Sequence, residues 1–288
     1  MCAFKNSEAP LDSWRMPLRR RTLLQLAAAA AAGGALPVIA RAAQRRSLDD
    51  PFRLAVDDAL ADSGLAAHLQ RRFGRDTGVA IVVLPGPARE LLDALGRGEH
   101  DGALLNTPQA EAALDQLGLL RGRRQIASSD FLIVGPTLLR PALDALGTRT
   151  QAVPALAAMA KAGASFLGAT PGSGTQELEA DLWRVAKVAP LPPWYRPSPG
   201  HDALAAAHAG LACTLVERGV WAAAGAALRQ ARDFGVLVEG DPLLQVPVHL
   251  MRSFHFDHPA GKLFSDWLAS RAGRQAIAAL PAYRPVTR

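Results

Sequence analysis

Short apolar runs alternate along this chain with longer stretches whose apolar residues recur at helical spacing. "FRLAV" (52–56) is an apolar run bounded by charge, "GLAAHLQRRFGRDTG" (64–78) has a helical period ending at glycine, and "VAIVVL" (79–84) restores the strand pattern. These three segments predict a β-α-β unit. The alternation continues with a helix over 88–96, a strand near 102–105, a helix over 108–117 and the strand "FLIVG" (131–135). Continuous apolar strands separated by helices predict an α/β protein whose mostly parallel sheets are covered on both faces.

After Pro136 the pattern starts again. Helices are expected over 152–162, 175–187, 201–209 and 216–227, with strands at "SFLGA", "LACTL" and "FGVLV". "QVPVHLM" (245–251) reads as a returning strand, and two short helices near 260–270 and 272–280 end the pattern. The expected organisation is therefore two lobes, one from 48–135 plus 245–288 and the other from 136–244. The Pro-rich piece "APLPPWYRPSPG" (189–200) is too short for a disordered linker and reads as a rigid loop of the kind that rims a cleft.

The chain has 288 residues, 49% of them hydrophobic and 20% charged, which excludes a disordered or fibrous protein. Its net charge of +6 would suggest nucleic acid, yet Lys5, Arg15, Arg19, Arg20, Arg21 and Arg41, offset by Glu8 and Asp12, supply most of it. That segment has a basic start, an Ala-rich apolar middle and a small-residue exit at Ala40-Arg41-Ala42, so residues 1–42 read as an export signal. Arg20-Arg21 before Thr22-Leu23-Leu24 fits a twin-arginine signal, the alternative being an ordinary secretory signal with a charged start. Met16 is a second candidate start. Removal of this segment would leave Cys213 as the one thiol, unable to close an intrachain disulfide, in a protein expected in the periplasm and free of the membrane.

Candidate chemistry concentrates where the turn Gly172-Ser173-Gly174-Thr175 enters a helix rich in acidic residues. Ser173 or Thr175 can simply cap that helix. The same geometry also presents free N–H groups and the positive end of the helix dipole to an anion. Asp62-Ser63-Gly64 is the corresponding turn in the other lobe. No G-x-S-x-G elbow exists, because glycines flank Ser173 directly, and neither H-E-x-x-H nor C-x-x-C occurs. An acid-base pair of His201 and Asp202 would have no nucleophile evident beside it. The histidines of "HLMRSFHFDH" (249–258) are too loosely spaced to argue for a metal.

Several stretches together resemble the periplasmic tungstate-binding proteins that serve ABC importers: "DSGL" (62–65), "SSDFLIVGP" (128–136), "GSGTQELEADLW" (172–183), Trp194-Tyr195, "TLVERGVW" (214–221) and "LVEGDPLL" (237–244). They occur in the family's order. The resemblance implies the type II periplasmic-binding-protein architecture, two α/β lobes hinged by crossing strands, with Ser173, Gly174 and Thr175 as the oxyanion turn. Three segments depart from the family. "VDDAL" (56–60) replaces a Thr/Ser-rich run, Ala169 stands in place of an arginine, and "RPSPGHDAL" (196–204) replaces a Gly- and Met-rich loop. A carboxylate about 4 Å from a divalent oxyanion costs about 8 kcal/mol at an effective dielectric near 20.

Alternation at a strand end would turn only one of Asp57 and Asp58 inward, where Arg123 or Arg124 would neutralise it. Solvated turn positions are the plain alternative for the pair. The chain is thus expected to be a monomeric, non-enzymatic solute receptor without cofactor or metal, partnered by an importer permease and binding an oxyanion through Ser63, Ser173, Gly174 and Thr175. The alternative is a cationic or amine-bearing solute in a cleft formed by Asp57, Asp58, His201 and Asp202, or an orphan sensor.

Overall fold

A computed structural model describes residues 47–200 and 202–286. The expected export signal and His201 lie outside these residues. Among the described residues no helix is long and apolar enough to cross a membrane.

The first lobe opens with β1 (Phe52–Asp57), α1 (Asp58–Asp62), α2 (Leu65–Thr77), β2 (Ile81–Gly86), α3 (Ala88–Gly96), β3 (Gly102–Leu105) and α4 (Pro108–Gln116). β1 lies between β2 and β3, parallel to both. Its side chains alternate between two cores: Phe52, Leu54 and Val56 join one, Ala55 the other. That is why the strand reads as an apolar run broken only by the half-buried Arg53. The first core is built on aromatic contacts, with Phe264 edge-on to Phe73 at 5.0 Å and stacked on Trp267 at 6.0 Å.

A single 17-residue strand, β4 (Leu120–Pro136), then runs through both lobes. Its first part pairs antiparallel with β9 (Gln245–Ser253) and β10 (Tyr283–Pro285). Its second part pairs with β7 (Thr214–Glu217) and β8 (Phe234–Val238). The cores change with it: Ala127 belongs to the first lobe, whereas Phe131 and Ile133 face one second-lobe core and Leu132 and Val134 the other. The chain returns beside this crossing, since Asp130 is registered with Gln245 at the start of β9.

The second lobe contains α5 (Arg140–Ala145), α6 (Ala152–Lys161), β5 (Phe166–Leu167), α7 (Gly174–Ala186), β6 (Tyr195–Arg196) and α8 (Ala203–Ala209) before β7, then α9 (Arg218–Ala223) and α10 (Ala226–Arg229) before β8. α11 (Pro259–Ala269) and α12 (Arg271–Ala278) return to the first lobe and pack on its core. The expected long helix over 216–227 is instead the end of β7 followed by two short helices. Glu217 is still extended, and the backbone leaves the helix at Ala224. Cys213 is buried against Gly135, and burial pushes its thiol up to about 12, so it is an inert packing group.

Candidate functional site

Gly172 adopts φ +78°, a left-handed conformation that turns the chain into α7. Ser173 caps the helix: its Oγ accepts the Gln176 N–H at 3.1 Å and donates to the Thr170 carbonyl at 2.7 Å. Gln176 reciprocates by accepting the Gly172 N–H at 2.7 Å, one residue ahead of the cap, an arrangement close to a capping box. Ser173→Ala is expected to cost about 1 kcal/mol of stability, read as a lowered denaturation midpoint.

A buried carboxylate fixes this turn from behind. Glu179 accepts the Ala169 N–H at 2.6 Å, the Trp183 indole N–H at 3.1 Å and the Tyr195 hydroxyl at 2.9 Å. Burial raises its pKa, against the lowering effect of these three donors. The Glu-x-x-x-Trp spacing of α7 and the later Trp-Tyr pair are therefore one scaffold under the turn. Gly168 is part of it, since a Cβ there would run into the Tyr195 hydroxyl.

The α7 start meets the first lobe at Asp57, whose side chain is fully buried. Oδ1 caps α1 by accepting the Ala59 N–H at 3.1 Å, and Oδ2 accepts the Gly174 N–H at 3.1 Å from the opposite lobe. Burial pushes this carboxyl up to about 6, although the N–H groups of Gly174, Ala59 and Ala88 stabilise its charge. Gly174 also sits against Asn106, which is fully buried and whose amide oxygen and nitrogen both lack a hydrogen-bond partner. Beside this point the Arg89 N–H donates to the Gly172 carbonyl at 2.9 Å. Glu177 of α7 accepts the Gln109 N–H at 2.9 Å and the Ala110 N–H at 3.3 Å, capping α4 across the seam. Farther along, a Cβ on Gly219 would lie 2.6 Å from Ser63 Cβ. The lobes are in direct contact through backbone and small residues.

Next to Asp57 lies a cavity of about 90 Å³ lined by Asp58, Asp62, Thr170, Ser173, Thr175, Asp202 and Glu217 together with apolar side chains. No described lysine or arginine lines it. Glu217 is buried and accepts the Ser129 hydroxyl at 2.8 Å. Burial pushes it up to about 8, with the negative charges of Asp57 and Asp130 adding to the rise.

The structure thus brings Ser173, Thr175, Asp58 and Asp202 to one cavity, with Asp57 and Gly174 joined at the seam beside it. Asp57 and Asp58 both face inward because Asp58 begins a helix, so strand alternation stops at Asp57. Ser63 is elsewhere: its Oγ accepts the Tyr283 hydroxyl at 2.5 Å at the Gly219 contact. Arg124 is exposed on β4, near enough to Asp266 to help lower that carboxyl's pKa. Arg123 pairs with Glu111 at 3.0 Å, so the expected neutralising partner of Asp57 is engaged elsewhere. The C-terminal histidines are dispersed, His249 pairing with Glu111 and His258 capping α11. Among the described residues no cluster of three or more His, Cys, Asp or Glu side chains is arranged to hold a metal. Sequence reasoning missed Asn106, Glu179 and Glu217. The two glutamates stood within "GSGTQELEADLW" and "TLVERGVW", but nothing in their spacing showed that they would be buried.

The chain is similar to the tungstate-binding protein TupA of Peptoclostridium acidaminophilum, at 27% identity over 238 residues covering 78% of this chain and 79% of the relative. A putative ABC transporter anion-binding protein of Haloferax volcanii is 25% identical over 236 residues, covering 78% and 67%. Among solved structures, the tungstate ABC transporter of Geobacter sulfurreducens superposes with a TM-score of 0.71 at 24% identity, covering 80% of this chain and 99% of that one. TupA of Desulfovibrio alaskensis G20 gives 0.68 at 24% identity, covering 83% and 100%. These superpositions show the two-lobe type II fold. No family model matches the chain.

Proposed function

We propose that this chain, a divergent member of the periplasmic tungstate-binding family, is the solute-binding receptor of an ABC importer of the oxyanion class. The observation that carries this reading is the capped start of α7, whose Gly174 N–H meets an anionic group from the other lobe at 3.1 Å while Ser173 and Thr175 line the adjoining cavity. The relatives are binding proteins, and the Ser173 hydroxyl at the cavity donates to the Thr170 carbonyl and not to a base. The protein acts outside the inner membrane, exported by the segment ending near Ala42, and engages the permease as a monomer. The expected lobes, 48–135 plus 245–288 and 136–244, meet in the β4 crossing, where Phe131 to Val134 already pack in the second-lobe cores, so the pivot lies near Asp130.

Tungstate or molybdate is expected to raise the melting temperature with the logarithm of concentration above the dissociation constant. Thr175→Ala should shrink that rise by removing a hydroxyl donor, and Asp58→Ser should enlarge it by removing a repelling charge. Absence of any oxyanion response in the native chain, Asp57→Ser and Asp58→Ser alike would sink the oxyanion reading. The carboxylates of Asp58, Asp62 and Asp202 around the cavity favour a second reading, a cationic or amine-bearing solute. Under it, spermidine would replace tungstate as the stabilising ligand, and Asp58→Ser would abolish its effect.

A further inference from the structure

We propose that Asp57 is an internal competitor of the solute: its carboxylate occupies the anion seat between the lobes and holds them closed, so an external oxyanion enters only by displacing it.

The surroundings of Asp57 form an anion site. The N–H groups of Ala59, Ala88 and Gly174 all act on its carboxylate, the last two being the first residues of helices of 9 and 13 residues. Each contributes an amide unsatisfied within its own helix, together with the positive end of that helix's dipole. Asn106 supplies a second, independent sign that this place is built to receive a group. Its amide is fully buried beside Gly174, and neither of its polar atoms has a partner. A polar group so placed costs free energy unless something satisfies it.

The occupant is attached to one wall. Asp57 ends β1 in the first lobe, whereas Gly174 begins α7 in the second. The bond between them therefore does what a bound solute does in a receptor of this type, joining two lobes through one anionic group. Because the group is covalently part of the chain, its effective concentration is set by the hinge and not by the surroundings. A free oxyanion must break the Asp57–Gly174 bond, and it must also tolerate the displaced carboxylate, which α1 keeps close through the Ala59 cap. Asp57 is in this sense a residue that sets specificity and threshold.

The test compares the native chain with Asp57→Ser by small-angle scattering and by calorimetric titration with sodium tungstate. Without ligand, the native chain is expected to be compact and Asp57→Ser to have a larger radius of gyration that contracts when tungstate is added. Tungstate should bind Asp57→Ser at least ten-fold more tightly than the native chain. Should the serine variant not fold, Asp57→Asn, which keeps the shape and removes the charge, takes its place with the same expected direction. Tungstate that binds measurably, and with equal affinity, to native and variant chains overturns the proposal. So does a radius of gyration unchanged by the substitution. The competition arm rests on the oxyanion reading, and the two fail separately: a variant that opens but binds no oxyanion sustains the latch and removes the oxyanion reading.

Discussion

Raising the pH from 5 to 8.5 is expected to lower the folding stability of the native chain by a few kcal/mol, and Glu217→Gln to remove most of that loss. The carboxyl of Glu217 is displaced from its ordinary value of 4.5 up to about 8, chiefly by burial. Below its ordinary value the group is protonated in both folded and unfolded chains, and its contribution to stability is fully present. Between the two values the unfolded chain releases a proton that the folded chain retains. Each pH unit in that window therefore favours unfolding by about 1.4 kcal/mol, until the loss is complete above the folded value. Asp57, raised from 3.8 to about 6, adds a loss of the same sign at lower pH. Denaturant midpoints at pH 5, 7 and 8.5 for the native chain and Glu217→Gln give the check. Identical slopes in the two proteins would remove Glu217 as the cause.

Gly174→Ala is expected to keep the lobes apart while leaving each lobe folded. A Cβ at Gly174 would overlap the Asn106 amide oxygen and lie 3.0 Å from the Asn106 backbone carbonyl. Gly174 has no left-handed backbone and sits in the first turn of α7, so alanine suits the helix itself. The clash arises only when the lobes meet. Overpacking of this kind costs about 1–3 kcal/mol, which shifts the closing equilibrium roughly 5- to 150-fold. The variant should show a larger radius of gyration in scattering and a smaller tungstate-induced rise in melting temperature, with an unaltered far-ultraviolet circular dichroism spectrum. An unchanged radius would mean that Asn106 yields and that the contact does not govern closure.

The sequence showed the α/β alternation because the buried strands are covered on both faces: "FLIVG" has no solvent side to make polar, and "FRLAV" is polar only at the half-buried Arg53. The first part of β4 was not legible for the opposite reason. "LRGRRQIASSD" carries charge on exposed positions, and register shifts between Arg121 and Arg124 and between Gln125 and Ala127 break the two-residue period. Its strand character is set by hydrogen bonds to β9 and β10, which leave no mark on side-chain pattern. The Ser173 turn was visible as a cap, since capping follows from local geometry. What Asp57 does there was hidden. Its partner Gly174 is 117 residues away, and sequence spacing carries no information about which carboxylate reaches which amide across a cleft.

The β4 crossing restricts how the receptor can move. Because Asp130 on β4 is paired with Gln245 on β9, the two connections between the lobes lie side by side at the seam. Two adjacent, hydrogen-bonded connections resist sliding and splaying, and they leave rotation about a single axis as the easy displacement. Opening is then a motion with essentially one degree of freedom, and a partner resting on both lobes can read a single variable, the angle between them. A latch acting anywhere along that arc sets the angle for the whole molecule.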